Sequence, residues 1–182
     1  ALGHSLEAII ILLENIKFVQ SFDTCHCHFA IDENGDTWTW GDSSSIINNI
    51  TGGQNYSTPT KVDASLFENA KIKDITADKN SKFFIFTDEY GRLWSIGKYS
   101  SGNNAYSLGY TPTTVSTVPY CISLDETNPL YGITIKDVEF GGDQNVIAVD
   151  TNNNLWTWGR TSYYYDMPGD QKVPMKTAYK YD

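Results

Sequence analysis

Cys25-His26-Cys27-His28 is the densest run of metal-ligating and redox-capable side chains in the sequence. Thiolate and imidazole are the ligands zinc prefers, but a zinc site needs them to converge on one point. On an extended strand alternate side chains take opposite faces, which puts both cysteines on one side and both histidines on the other. The spacing therefore predicts plain strand residues rather than a metal centre. With Cys121 the cysteines number 3, an odd and irregularly spaced set that argues against a disulfide framework.

Asp32, Asn34 and Asp36 offer alternating oxygen side chains, as calcium loops do. A helix-flanked calcium loop also needs Gly at its sixth place and Glu at its twelfth, where this sequence has Thr37 and Ser43. The same pattern returns at Asp150, Asn152 and Asn154, but the intervening copy has Asp88, Tyr90 and Arg92, and a cation would be repelled there. The sequence predicts hairpin turns at all three places. Nucleophile elbows, phosphate-cradling glycine loops and His-Glu metal motifs are missing, and the histidines are confined to His4, His26 and His28. The expectation is a non-enzymatic protein with no catalytic residue, no metal and no cofactor.

These residues belong to a block written three times: Asp32 to Gly41 (DENGDTWTWG), Asp88 to Gly97 (DEYGRLWSIG) and Asp150 to Gly159 (DTNNNLWTWG), with terminal glycines at intervals of 56 and 62 residues. The intervals slightly exceed the roughly 40–50 residues of common propeller repeats, which assigns the excess to loops. Apolar runs precede each Asp, at His28 to Ile31, Phe84 to Thr87 and Val146 to Val149, and read as strands. After the turn the residues alternate. Trp38, Trp94 and Trp156 share one face with Trp40, Ile96 and Trp158 two positions later. Within the turn, Asp is expected to bind its own backbone, and Gly35, Gly91 or Asn153 to take a left-handed conformation. A further strand opens upstream at Ile16-Lys17, Ile72-Lys73 and Ile135-Lys136. Pro-containing segments downstream, Thr58 to Val62, Val118 to Ile122 and Val173 to Lys176, read as edge strands, where Pro is tolerated.

Four short antiparallel strands with an aromatic at a fixed place form the pattern of a propeller blade. The run Phe140 to Arg160 (FGGDQNVIAVDTNNNLWTWGR) resembles the core of the regulator of chromosome condensation repeat. Leu108-Gly109 and Leu2-Gly3 resemble that family's Gln-Leu-Gly element. The first two copies depart from the pattern: Phe22-Asp23 and Ala77-Asp78 stand where paired glycines are expected, and Cys27, Phe83 and Asn145 where His is frequent. The resemblance implies an all-β fold, a partial β-propeller of about three four-stranded antiparallel blades plus the tail of a preceding repeat. The divisions are 1–15 for that tail and 16–71, 72–134 and 135–182 for the three repeats.

The resemblance also implies a ring of about seven blades, so the sequence predicts a segment of a larger propeller that opens mid-blade at Leu2-Gly3. Its end blades then need covering, by remaining blades or by self-association. Burying one Trp removes roughly 150–250 Å², which at about 25 cal/mol/Å² is roughly 4–6 kcal/mol gross and an upper bound.

The composition, 40% hydrophobic and 14% aromatic, is that of a folded domain. The net charge of −9 and scattered basic residues oppose nucleic-acid binding and suit a basic partner. The apolar run Ala8 to Leu13 is too short to cross a bilayer. The variable loops are what remains. Asp42 to Ser57 and Lys98 to Ser107 are rich in Ser, Asn, Gly and Tyr, as adaptable binding loops are, and Thr161 to Asp170 holds Tyr163, Tyr164 and Tyr165. Those three tyrosines are the candidate partner-binding residues. Asn49-Ile50-Thr51 and Asn55-Tyr56-Ser57 match glycosylation acceptors, though an Asn-rich chain produces such matches by chance. The expected function is a protein-binding scaffold. The resemblance adds, as alternatives, guanine-nucleotide exchange on a small GTPase, and the Asn, Tyr and Ser richness adds a bacterial surface or secreted binding module.

Overall fold

The structure, a computed structural model, describes residues 14–42, 50, 56–97, 106–110, 118–141, 144–159 and 171–177, the last of these as a backbone path only. Among the described residues, twelve strands form three four-stranded antiparallel sheets, each taking its strands in chain order. The first contains β1 (Ile16–Phe22), β2 (Cys27–Asp32), β3 (Thr37–Gly41) and β4 (Tyr56–Lys61). The second contains β5 (Ile72–Ala77), β6 (Phe83–Asp88), β7 (Leu93–Gly97) and β8 (Tyr120–Cys121). The third contains β9 (Ile135–Phe140), β10 (Asn145–Asp150), β11 (Leu155–Gly159) and β12 (Gln171–Thr177). The last strand of each sheet, where the sequence places Pro, lies at a sheet edge as expected. In the second sheet that edge is short, because the chain turns at Ile122–Leu124 into a 3-10 helix where the sequence predicts strand up to Ile122.

The sheets pack face to face as consecutive blades, with first strand near first strand: β1 meets β5, and β5 meets β9. Two apolar cores fill the seams, and strand alternation decides which residue enters which seam. Phe29 and Ile31 of the first blade meet Ile75, Phe84, Phe86 and Trp94 of the second. Ile85 and Leu93, on the opposite face of that second blade, meet Val138, Val146, Trp156 and Trp158 of the third. Each blade therefore has a leading face, carrying the repeated Trp, and a trailing face that covers the next blade's leading face. Because the middle blade is covered on both sides, every residue of β6 and β7 is buried. That is why FFIF reads as a continuous apolar run where β1 does not.

Candidate functional site

Strand register divides each blade into two ends. Ile31 pairs with Thr37, Thr87 with Leu93 and Val149 with Leu155, so the repeated turns close one end. Gly41 pairs with Tyr56 and Gly159 with Gln171, so the β3–β4 and β11–β12 connections leave from the other. The β7–β8 connection leaves Gly97 at that same end, since Gly97 pairs with Phe83. All three variable connections are thereby gathered on one end of the stack. Most of their residues, Tyr163, Tyr164 and Tyr165 among them, lie outside the described residues, as do both glycosylation triplets except Ile50 and the backbone of Tyr56 and Ser57.

At the turn end the repeated Asp performs the same task three times. Asp88 Oδ1 accepts from the backbone amides of Tyr90 and Arg92 at 2.9 Å each. Its Oδ2 accepts from Trp94 Nε1 at 2.9 Å and Arg92 Nε at 2.6 Å. Asp150 repeats this with the amides of Asn152 and Asn154, with Asn154 Nδ2, and with Trp156 Nε1 at 3.0 Å. Asp32 does so with the amides of Asn34 and Asp36, and more loosely with Trp38 Nε1 at 3.3 Å. The expected Asp-to-backbone turn is present, and Gly35, Gly91 and Asn153 have the expected left-handed φ of 82°, 73° and 62°. The indole bond, six residues along, was not expected. Burial pushes the Asp150 carboxyl up, but the Asn154, Trp156 and backbone donors outweigh it and hold the group at about 2. The oxygens that would ligate a cation are thus turned onto their own turn and strand, a structural role. Among the described residues, no group of three or more His, Cys, Asp or Glu is placed to hold a metal ion.

At the loop end, the segment around Leu108-Gly109 latches the second blade to the third. Ser95 Oγ donates to Leu108 O at 2.7 Å, Ser107 Oγ to Gln144 O at 2.9 Å, and Trp158 Nε1 to Ser107 O at 3.1 Å. Leu108 and Phe83 form a small core beside it. Thr24 Oγ1 and Ser81 Oγ, 2.5 Å apart, tie the neighbouring turns of the first two blades. Asp78, where the family pattern has glycine, accepts from the amides of Asn80, Lys82 and Phe83, a polar solution to the same tight turn.

The reading of Cys25 to His28 as strand residues is corrected here. Asp23–Cys25 forms a 3-10 turn, and His26 lies at φ 47°, so strand alternation begins only at Cys27. The kink brings Cys25 and Cys27 together as a disulfide, with Cα atoms 5.2 Å apart. His28 instead shares a hydrogen bond with Ser21 Oγ at 3.0 Å and lies tilted against Trp40, ring centres 5.2 Å apart. Cys121 is a free, half-buried thiol, and burial pushes it up to about 11.

Two surface features complete the picture. A cleft of about 280 Å³ at the seam between the second and third blades is lined by Lys73, Asp74, Lys136 and Asp137 with Asp88 behind. Burial, then the charges of Glu139 and Asp137, push Asp74 upward, while the Ile75 amide pulls against them. On the rim of the second blade Tyr120 stacks on Tyr110 with ring centres 4.1 Å apart, and Leu124 and Tyr131 are exposed nearby. Burial and the bond to Asp125 push the Tyr120 hydroxyl up to about 12. Sequence reasoning missed this rim cluster, whose only linear signal is a tyrosine beside the edge-strand proline.

No protein-family model and no curated protein matches the chain. Solved structures do match. Human WBSCR16 superposes with a TM-score of 0.65 at 20% identity, over 91% of this chain and 40% of its own. Prp20p from Saccharomyces cerevisiae superposes at 0.65 with 18% identity, over 89% of this chain and 38% of its own. Yeast RCC1 (Prp20) in its Kap60 complex gives 0.64 and 17%, over 89% and 37%. The chain therefore spans about 40% or less of the length of these structures. The likeness to the chromosome-condensation-regulator repeat holds at the level of fold: these are consecutive β-propeller blades of that architecture.

Proposed function

We propose that the chain is a non-enzymatic protein-interaction scaffold that presents its variable inter-strand connections to a protein partner. One observation carries the reading: strand register sends all three connections out of the same end of a stack whose blades are locked by apolar seams and the Leu108-Gly109 latch. A rigid frame lowers the ordering cost of binding, because packed blades have little freedom to lose. Prp20p has been described with its binding to Gsp1p and histones, and yeast RCC1 bound to Kap60, so neighbours of this architecture do engage proteins. Tyr163, Tyr164 and Tyr165 are the proposed aromatic anchors. The test is crosslinking in the native cell followed by capture through the chain. A partner recovered by the wild type and lost on changing all three tyrosines to Ala supports the reading; equal recovery removes the tyrosines from it.

Two other readings keep a specific observation each. Exchange on a small GTPase follows from the fold likeness, and acceleration of nucleotide release from a panel of small GTPases would favour it over a pure scaffold. A surface or secreted module follows from the Cys25–Cys27 disulfide, since disulfides persist in oxidising compartments. Thiol titration of the unfolded, unreduced protein tests it, with one reactive thiol expected rather than three.

A further inference from the structure

We propose that the Cys25–Cys27 pair is a redox switch for the loop end of the first blade. As a disulfide it holds the His26 turn, and with it the start of the β3–β4 connection; reduced by a dithiol, it releases both. The bridge is a poor staple. It closes a ring of three residues within one blade, and the chain entropy that a crosslink removes from the unfolded state is smallest for the shortest loops. Nor is it needed to make the turn. Cys27 pairs with Gly41 as Asn145 pairs with Gly159, so Gln144 of the third blade holds the place of His26. Gln144 takes the same left-handed conformation, φ 66° against 47°, with no cysteine beside it.

What the bridge does hold is local. The His26 carbonyl accepts from the amide of Asp42, the first residue of the variable connection, at 3.2 Å, the long end of the usual range. Thr24, one residue before the bridge, shares a hydroxyl hydrogen bond with Ser81 of the second blade at 2.5 Å. The cysteines lie in the core of that seam with Phe22 and Phe84, Cys27 fully buried and Cys25 9% exposed. A dithiol therefore reaches Cys25 first. The dithiol's thiolate bonds to Cys25 Sγ as the Cys25–Cys27 bond breaks, and Cys27 leaves as a thiolate that takes a proton. The second thiol then bonds to the first and frees Cys25 as a thiol. The dithiol ends as a disulfide, and two electrons and two protons have passed to the protein. The freed Cys25 thiol has an acceptor at hand, since its sulfur lies 3.5 Å from the Phe22 carbonyl oxygen. Sulfurs that no longer share a bond need van der Waals separation, and a close-packed core provides it only by moving the turn. That motion falls on Thr24 and on the His26 carbonyl. In the third blade the corresponding carbonyl, that of Gln144, is held by Ser107 Oγ instead and is under no such control.

As a control over partner binding the switch rests on the scaffold reading above, so its test reads the chain alone. Amide hydrogen exchange of the full 182-residue chain is compared after oxidation by glutathione disulfide and after reduction by dithiothreitol, beside the double variant Cys25→Ser, Cys27→Ser. Alkylation in denaturant should add one group to the oxidised chain and three to the reduced one. Peptides covering Phe22 to Phe29 and Trp40 to Asp42 are expected to exchange about tenfold or more faster once reduced, while β10 and Gly159 keep their protection. The double variant should match the reduced protein and ignore dithiothreitol; should it not fold, the reduced wild type decides. Three alkylated cysteines after oxidation, or equal exchange in the two states, overturns the proposal. So does protection lost throughout the chain on reduction, which would make the bridge a staple of the whole fold.

Discussion

Asp88, like Asp150, takes four donors on a buried carboxylate, and one of them is the Arg92 guanidinium. Asp88→Ala leaves an indole, two amides and a guanidinium without their acceptor, and is expected to cost about 3–5 kcal/mol in urea unfolding. Asp32→Ala should cost less, about 1–2 kcal/mol, because its indole bond is 3.3 Å long and Trp38 is half-buried. Asp150 adds a pH signature. Its carboxyl lies at about 2 against an ordinary 3.8, so the folded state binds the proton less tightly than the unfolded chain. The stability it confers is present above pH 3.8 and is lost as pH falls towards 2. Asp150→Asn should begin less stable at neutral pH and lose less across that window, read from urea midpoints at each pH. Half of this clamp was legible in the sequence, since an Asp two residues before a turn residue announces its backbone bonds. The indole half was not, because the turn geometry that brings residues six apart together is not written in strand periodicity. The cysteines failed for a related reason: alternation applies only to extended backbone, and the left-handed His26 ends it.

The elements were legible where the repeat enforced them. Turn, paired strands and Trp-bearing face occur three times, so a chance pattern in one copy is corrected by the others. The edge strands were less so: β8 keeps only Tyr120–Cys121, because the sequence beyond folds back through Ile122–Leu124 rather than along the sheet. Two of the three glycines that end the Trp strands share a reason that the repeat alone does not state. Gly159 lies at φ +105°, and a Cβ there would overlap the carbonyl of Gln144, just before β10; Gly41 does the same against His26, just before β2. At both glycines the register with the last strand shifts, between Thr39 and Gly41 and between Thr157 and Gly159. Gly159→Ala is expected to cost about 3 kcal/mol from strained backbone and overlap, measured as a lowered urea midpoint with an unchanged slope. A fully stable variant would show that the last strand residue yields more easily than its packing implies.

Across the whole molecule the blades differ in cover. The middle blade is enclosed by both neighbours, while the outer two each have one face against a seam and one towards solvent. Amide hydrogen exchange should therefore be slowest in β6 and β7, faster in the equivalent strands of the outer blades; equal protection in all three would mean that the outer faces are covered in solution. Partner choice stayed illegible, because the connections proposed to set it share composition but not sequence. One feature serves the experimenter directly. All five tryptophans, Trp38, Trp40, Trp94, Trp156 and Trp158, stand on leading faces. Intrinsic fluorescence of this chain is consequently a seam signal: an iodide-quenchable fraction comes from the first blade alone, and its disappearance would report the closing of a joint without any added label.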